Sequence, residues 1–141
     1  MSIQEHPKKG TILMCDFNQG FCVPEMVKRR PVIVLSPKIS DRPKLCTVVA
    51  LSTTSPTPKM PYHAQINLKV RLPLKFESDH IWIKGDMIYA VGFHRLDFIR
   101  DGKDNKGNRK YYYYTLDDAQ FKIVQNCVLH GLGLSQLTKH I

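Results

Sequence analysis

Six segments of the chain run apolar or alternate over strand-like lengths, and the period changes once near the C-terminus. Thr11–Phe17 (TILMCDF), Pro31–Ser36 (PVIVLS) and Cys46–Ser52 (CTVVALS) are rich in β-branched residues and end at turn formers, which predicts strands. The second and third have near-continuous apolar centres, so both of their faces should be covered. His63–Leu68 (HAQINL), His80–Lys84 (HIWIK) and Met87–Gly92 (MIYAVG) continue the series at the spacing of a small barrel or sandwich. Beyond Thr115 the period lengthens. Leu116, Ala119, Ile123 and Cys127, flanked by Phe121, Val124 and Val128, make a broad apolar stripe of helical spacing. Thr115 and Asp118 have the spacing of a capping box, Asp117 and Asp118 bring negative charge to the first turn, and His130–Gly133 (HGLG) supplies a stop. The architecture predicted is mainly β, a small barrel closed by one amphipathic C-terminal helix, with residues 1–141 as one domain.

Two loops and two aromatic stretches add detail. Thr53–Tyr62 (TTSPTPKMPY) has three prolines and should be extended and semi-rigid. Arg100–Lys110 (RDGKDNKGNRK) is polar throughout with two glycines, and reads as a basic hairpin tip or insertion leading into Tyr111–Tyr114. Two of those tyrosines should pack and two face outward, and Lys103, Lys106, Arg109 and Lys110 read most simply as a solvated tip. Along His80–Lys84, alternation puts His80, Trp82 and Lys84 on one face and Ile81 and Ile83 on the other. An indole beside cations suits unstacked bases, and a place in a dimer interface suits it equally.

Charge narrows the choice of partners. Lys and Arg number 21 against 12 Asp and Glu, a formal net charge of +9, which favours a polyanion. No apolar run approaches the ~18–20 residues of a membrane span, and MSIQEHPKKG has no apolar segment behind its charges to act as a signal sequence. A cytoplasmic protein without membrane contact is expected. Cys15, Cys22, Cys46 and Cys127 are irregularly spaced, offer no C-x-x-C pair, and read as reduced packing residues; the six histidines form neither a triad nor a metal spacing. No metal or cofactor is expected.

The densest charge lies in KRRPVIVLSP (Lys28–Pro37), where three cations precede a proline and an apolar strand. A guanidinium anchored there could stabilise charge on a phosphate, or pair a local carboxylate such as Glu25 or Asp16. Ser52 and Thr53 could donate to the same phosphate, or act as turn hydroxyls before the proline loop.

The order of these features resembles the MazF/PemK family of toxins from type II toxin–antitoxin systems. Gly10-x-Ile opening a strand that ends Asp16-Phe17, then Arg30-Pro31-Val-Ile-Val-Leu-Ser, then Val48-Val49-Ala50-Leu51-Ser52-Thr53-Thr54, and later Arg95-Leu96 before a helix, carry the likeness. It implies an SH3-like barrel acting as a homodimer, cutting single-stranded RNA such as mRNA without metal. It further implies neutralisation by a cognate antitoxin, and operator DNA as a partner of the toxin–antitoxin complex. Arg30 matches the family arginine, Glu25 stands five residues before it as the family glutamate does, and the catalytic hydroxyl falls at Ser52 or at Thr53. Glu25 would orient Arg30 or act as base, with Lys28, Arg29, His80, Trp82 and Lys84 as RNA contacts. Two other readings stay open: a CcdB-like gyrase poison without enzymatic activity, and a non-toxic basic SH3-like module.

Overall fold

The β-branched runs pair with one another, and every pairing in the main sheet is antiparallel. A computed structural model describes residues 2–73, 76 and 78–141. Strands β1 (Ile12–Phe17), β2 (Lys28–Val34), β3 (Leu45–Ser52), β4 (His63–Asn67), β5 (His80–Gly92) and β6 (Leu96–Asp97) form one sheet in the order β4-β5-β3-β2-β1-β6. β7 (Ile99–Lys103) and β8 (Arg109–Tyr112) form a separate two-stranded ribbon, followed by helix α1 (Asp118–Gly131) and a 3-10 turn, Ser135–His140. Among the described residues no ladder joins edge strands β4 and β6. The sheet therefore stays open, and the mainly-β architecture with its C-terminal helix is otherwise the one expected.

Both faces of the central strands are covered, as their continuous apolar runs require. On one face Ile12, Ile33, Leu51, Ile81 and Ile83 pack against Phe121, Val124 and Cys127 of α1. On the other, Leu13, Cys15, Phe17, Val32, Val48 and Val91 form a second cluster.

Four local differences from the sequence reading have physical causes. His80–Lys84 and Met87–Gly92 are one strand, β5, with its register against β3 shifted between Val49 and Leu51. The shift exchanges the two faces of β5: Ile81 and Ile83 lie on the helix side before it, whereas Met87, Tyr89 and Val91 pack on the opposite cluster after it. β2 starts at Lys28, so all three cations are strand residues instead of a loose approach to Pro31. The helix N-cap is Asp117, whose carboxylate accepts from the Gln120 amide at 2.8 Å while the Gln120 side chain accepts from the Asp117 amide at 2.9 Å. Thr115 cannot cap because it is bridged to Thr11 at the start of β1. The buried stripe is Phe121, Val124 and Cys127, while Ile123 and Ala119 are exposed.

Helix α1 meets β5 backbone to backbone. A Cβ on Gly85 would overlap the Cys127 carbonyl, and one on Gly131 would overlap the Gly85 carbonyl. Gly85→Ala or Gly131→Ala is expected to lower stability by about 1–3 kcal/mol or more through overpacking. Ile123→Ala, on the exposed face, should stay within ~0.5 kcal/mol. Urea midpoints at constant m-value would separate the two classes, and equal midpoints would refute this account of the contact.

Candidate functional site

Strand alternation separates the three adjacent cations. Arg29 is opposite Asp16 in the register and its guanidinium lies 3.7 Å from that carboxylate, both side chains partly exposed. Arg30 faces the other way, on the side of Val32 and Val34. Its Nε donates to the Val27 carbonyl at 3.1 Å, and among the described residues it forms no ion pair. The guanidinium is thus aimed by a neutral acceptor and keeps its charge uncancelled. Lys28, opposite Phe17 at the end of the ladder, is exposed.

The register across the sheet then builds a polar row. β2 and β3 pair as Val32↔Ala50 and Val34↔Val48, and continuing that register brings Arg30 opposite Ser52. Ser52 is paired with Trp82 of β5, and Trp82 with Gln65 of β4. Paired residues share a face, so Ser52, Trp82 and Gln65 line up across three strands, and alternation from Val32 puts Arg30 on the same face. His80 opposite Asn67, and Lys84 opposite His63, flank this row on the same face. Lys59, from the proline-rich loop, places its ammonium 5.8 Å from the Trp82 ring centroid, within cation–π range. Gln65, Asn67 and Lys59 are not singled out by the sequence. The alternation in HAQIN was legible, but its partner strand was not.

Ser52 and Thr53 differ in placement. Ser52 is the last residue of β3, and its Oγ accepts from the Thr54 amide at 3.0 Å, which leaves the hydroxyl proton free to donate. Thr53 lies beyond the strand, in the turn. Both of the roles weighed for Ser52, turn former and phosphate donor, are compatible with this one geometry.

Glu25 does not meet Arg30 in the structure. Its Oε1 accepts from the Cys22 amide at 3.3 Å within a tight turn, its side chain is exposed, and no ion pair joins it to Arg30 among the described residues. Orientation comes from Val27 instead. The loop before β2 is held by aromatic packing: Phe21 meets Phe17 edge-on at 5.0 Å and Tyr89 at 5.7 Å, the Arg95 guanidinium lies 4.8 Å from the Phe21 centroid, and the Tyr89 hydroxyl accepts from the Met26 amide at 2.8 Å.

The cysteines add no chemistry to the row. Cys15, Cys46 and Cys127 are buried and free, and burial pushes their thiols up to about 12, about 11 and about 11, so they stay protonated. Cys22 is exposed. Among the described residues no cluster of three or more His, Cys, Asp or Glu is arranged to hold a metal, and no helix is long and apolar enough to cross a membrane.

Residues 8–130 match the family model described as PemK-like, MazF-like toxin of type II toxin-antitoxin system. The chain belongs to this family. It is 35% identical to YifN of Escherichia coli K12 over 118 aligned residues, covering 71% of this chain and 78% of that protein. It is 34% identical to a Haemophilus influenzae protein over 149 aligned residues, covering 97% of this chain and 98% of the relative. The fold is similar to that of MazF from Deinococcus radiodurans, with a TM-score of 0.59 at 16% identity over 92% of this chain and 99% of that one. It is also similar to the Mycobacterium tuberculosis toxin MazF-mt6, with a TM-score of 0.54 at 14% identity over 87% and 96%.

His63 gives this face of the toxin a pH dependence. Its Nδ1 accepts from the Met60 amide at 3.0 Å, and burial, aided by Lys84, holds its pKa below the ordinary 6.5 despite the opposing effect of Asp86. The unfolded chain therefore binds the proton more readily between the depressed value and 6.5. Stability falls as pH drops through that window and levels off below it. A proton NMR titration should place the His63 inflection below 6.5, with exchange protection of the Met60 amide lost through the same range. His63→Gln should remove the dependence, and an inflection above the ordinary value would contradict this account.

Proposed function

We infer that this toxin is an endoribonuclease that cuts single-stranded RNA by attack of the RNA's own 2′-hydroxyl on the adjacent phosphate. The bond from the 2′-oxygen to phosphorus forms as the bond to the 5′-oxygen breaks, leaving a 2′,3′-cyclic phosphate and a 5′-hydroxyl. Charge builds on the non-bridging oxygens, and Arg30 is the group assigned to hold them. The observation that carries this reading is that Arg30 is fixed by a backbone carbonyl, lacks a carboxylate partner among the described residues, and lies opposite Ser52 by continuation of the register. Ser52 donates the second hydrogen bond, in preference to Thr53, because it stands on the strand and its proton is free.

Solvent takes the 2′-hydroxyl proton and returns one to the 5′-oxygen in this scheme, so Glu25 has no assigned step. Trp82, with Lys59 on its ring and Lys84 and His80 beside it, supplies a stacking surface for a neighbouring base. Lys28 steers the approaching strand, whereas Arg29, already paired with Asp16, contributes less. The protein acts as a homodimer, and an acidic antitoxin covers the cationic face, in keeping with the charge of +9. Operator DNA is contacted by the toxin–antitoxin complex.

The purified protein should cut single-stranded RNA in EDTA and leave cyclic-phosphate ends. Arg30→Ala should lose ~100-fold or more in rate while still binding RNA, with Ser52→Ala losing less and Thr53→Ala least. An Arg30→Ala protein as active as the parent, or cutting only on addition of metal, would overturn the mechanism. Intact RNA together with DNA breaks on expression would favour a gyrase poison instead.

A further inference from the structure

The β7–β8 ribbon has two unlike faces. On the inner one, Ile99 and Tyr112 are paired and buried, the Tyr112 hydroxyl donates to the Val70 carbonyl at 2.6 Å, and Tyr112 stacks on Tyr114 at 5.8 Å. On the outer one, Arg100 is paired with Tyr111 and Lys103 with Arg109, and alternation along β8 continues to Tyr113. Tyr113 is 71% exposed, an unusual state for a tyrosine so well anchored through its neighbours. Phe98 meets it edge-on at 4.9 Å and Tyr111 lies 6.4 Å away, so three rings form one strip.

The charges of the ribbon are sorted in the same way. Asp101 pairs with Lys110 at 3.9 Å, and Asp104 accepts from the amides of Lys106 and Asn108 at 2.9 Å each to close the turn. Asp101 is therefore paired with a cation, and Asp104 spends one oxygen on the turn. Arg100, Lys103 and Arg109 form no ion pair among the described residues, and Lys103 is directly opposite Arg109, a like-charge pairing that costs stability when nothing anionic lies between. A cavity of ≈ 540 Å³ opens beside the rings, between the segment from Ser2 to Lys8 and Phe98, Tyr111 and Tyr113.

We propose that the outer face of the β7–β8 ribbon is a second binding site for single-stranded RNA, with bases stacked on Tyr111 and Tyr113 and phosphates held by Arg100, Lys103 and Arg109. Rings interleaved with unpaired cations on an anchored strand pair are what unstacked bases and a phosphate backbone require together. The site rests on the ribonuclease reading only for its substrate class, and serves to hold a long RNA while the Arg30 row acts on it. It lies on β7 and β8 and uses no residue of that row.

A 2′-O-methyl oligonucleotide lacks the attacking hydroxyl, so fluorescence anisotropy with it reads binding without cleavage. Tyr113→Ala should weaken binding ~10-fold, and Tyr113→Phe, which keeps the ring, should restore it. Replacing Arg100 and Arg109 together by Gln should reduce the slope of log affinity against log salt by about 1.4. Cleavage of a short oligonucleotide should be unchanged in these variants while KM for a long RNA rises. Parent-like RNA affinity in the ribbon variants, or a loss confined to a polyglutamate probe, would overturn the proposal, the latter by assigning the face to an acidic protein. A parent protein that binds the methylated strand through the ribbon but cuts no RNA would defeat the ribonuclease reading and leave this one standing.

Discussion

The fold turns on the register shift in β5 and the glycine that accompanies it. β5 serves two partners, β4 along its first half and β3 at Trp82 and Ile83 and again from Ile88 to Gly92, and the shift lets each half bury a different set of residues. Gly85 sits in that stretch and brings the strand backbone against the end of α1, where Gly131 returns the same contact. With the helix seated there, Ile81 and Ile83 are committed to the helix side. His80, Trp82 and Lys84 are thereby committed to the opposite face, because a strand has only two. The orientation of the polar row is thus a consequence of how the helix packs.

The charge pattern follows a second constraint, which is how the few carboxylates are used. Asp16 is paired with Arg29, Asp101 with Lys110, and Asp117 with Lys69 at 3.5 Å, while Asp104 closes a turn. Asp117 also caps α1, and the Gln120 amide is the main reason its carboxyl lies below the usual range. These pairs are exposed and individually worth little. Their effect is positional, since they neutralise cations along edges and turns and leave Arg30, Lys84, Arg100 and Arg109 outside any ion pair among the described residues.

The strands were legible in the sequence because their signals are local: β-branched runs, alternation, and Pro or Gly at the ends. The helix was legible as a helix, but its cap was misplaced by two residues because Thr115 is held by Thr11, a partner 104 positions away. The site was half legible. Arg30 could be named from motif order, with the hydroxyl left at Ser52 or Thr53, and the alternation of His80, Trp82 and Lys84 from spacing. That Trp82 stands between Ser52 and Gln65 depends on the pairing of β5 with β3 and β4, which no local pattern encodes. Glu25 matches the family glutamate by its spacing to Arg30, but spacing carries no side-chain direction, and its carboxylate accepts from the Cys22 amide in the turn before β2.

How Arg30 is held bears on what it can do. A carboxylate partner would fix a guanidinium firmly but would also cancel much of the charge a phosphate needs to meet, and it would compete with that phosphate for the same nitrogens. A carbonyl on Nε fixes the plane of the group with neither cost, and leaves the terminal nitrogens to form a bidentate fork. Arg95 is held similarly, its Nη1 donating to the Asp16 carbonyl at 3.1 Å while its face covers Phe21. The same backbone-first design explains why replacing Arg30 by Lys is not a conservative change here: the ammonium has no Nε to be held by Val27, and its flexible stem would leave the charge in place without its direction.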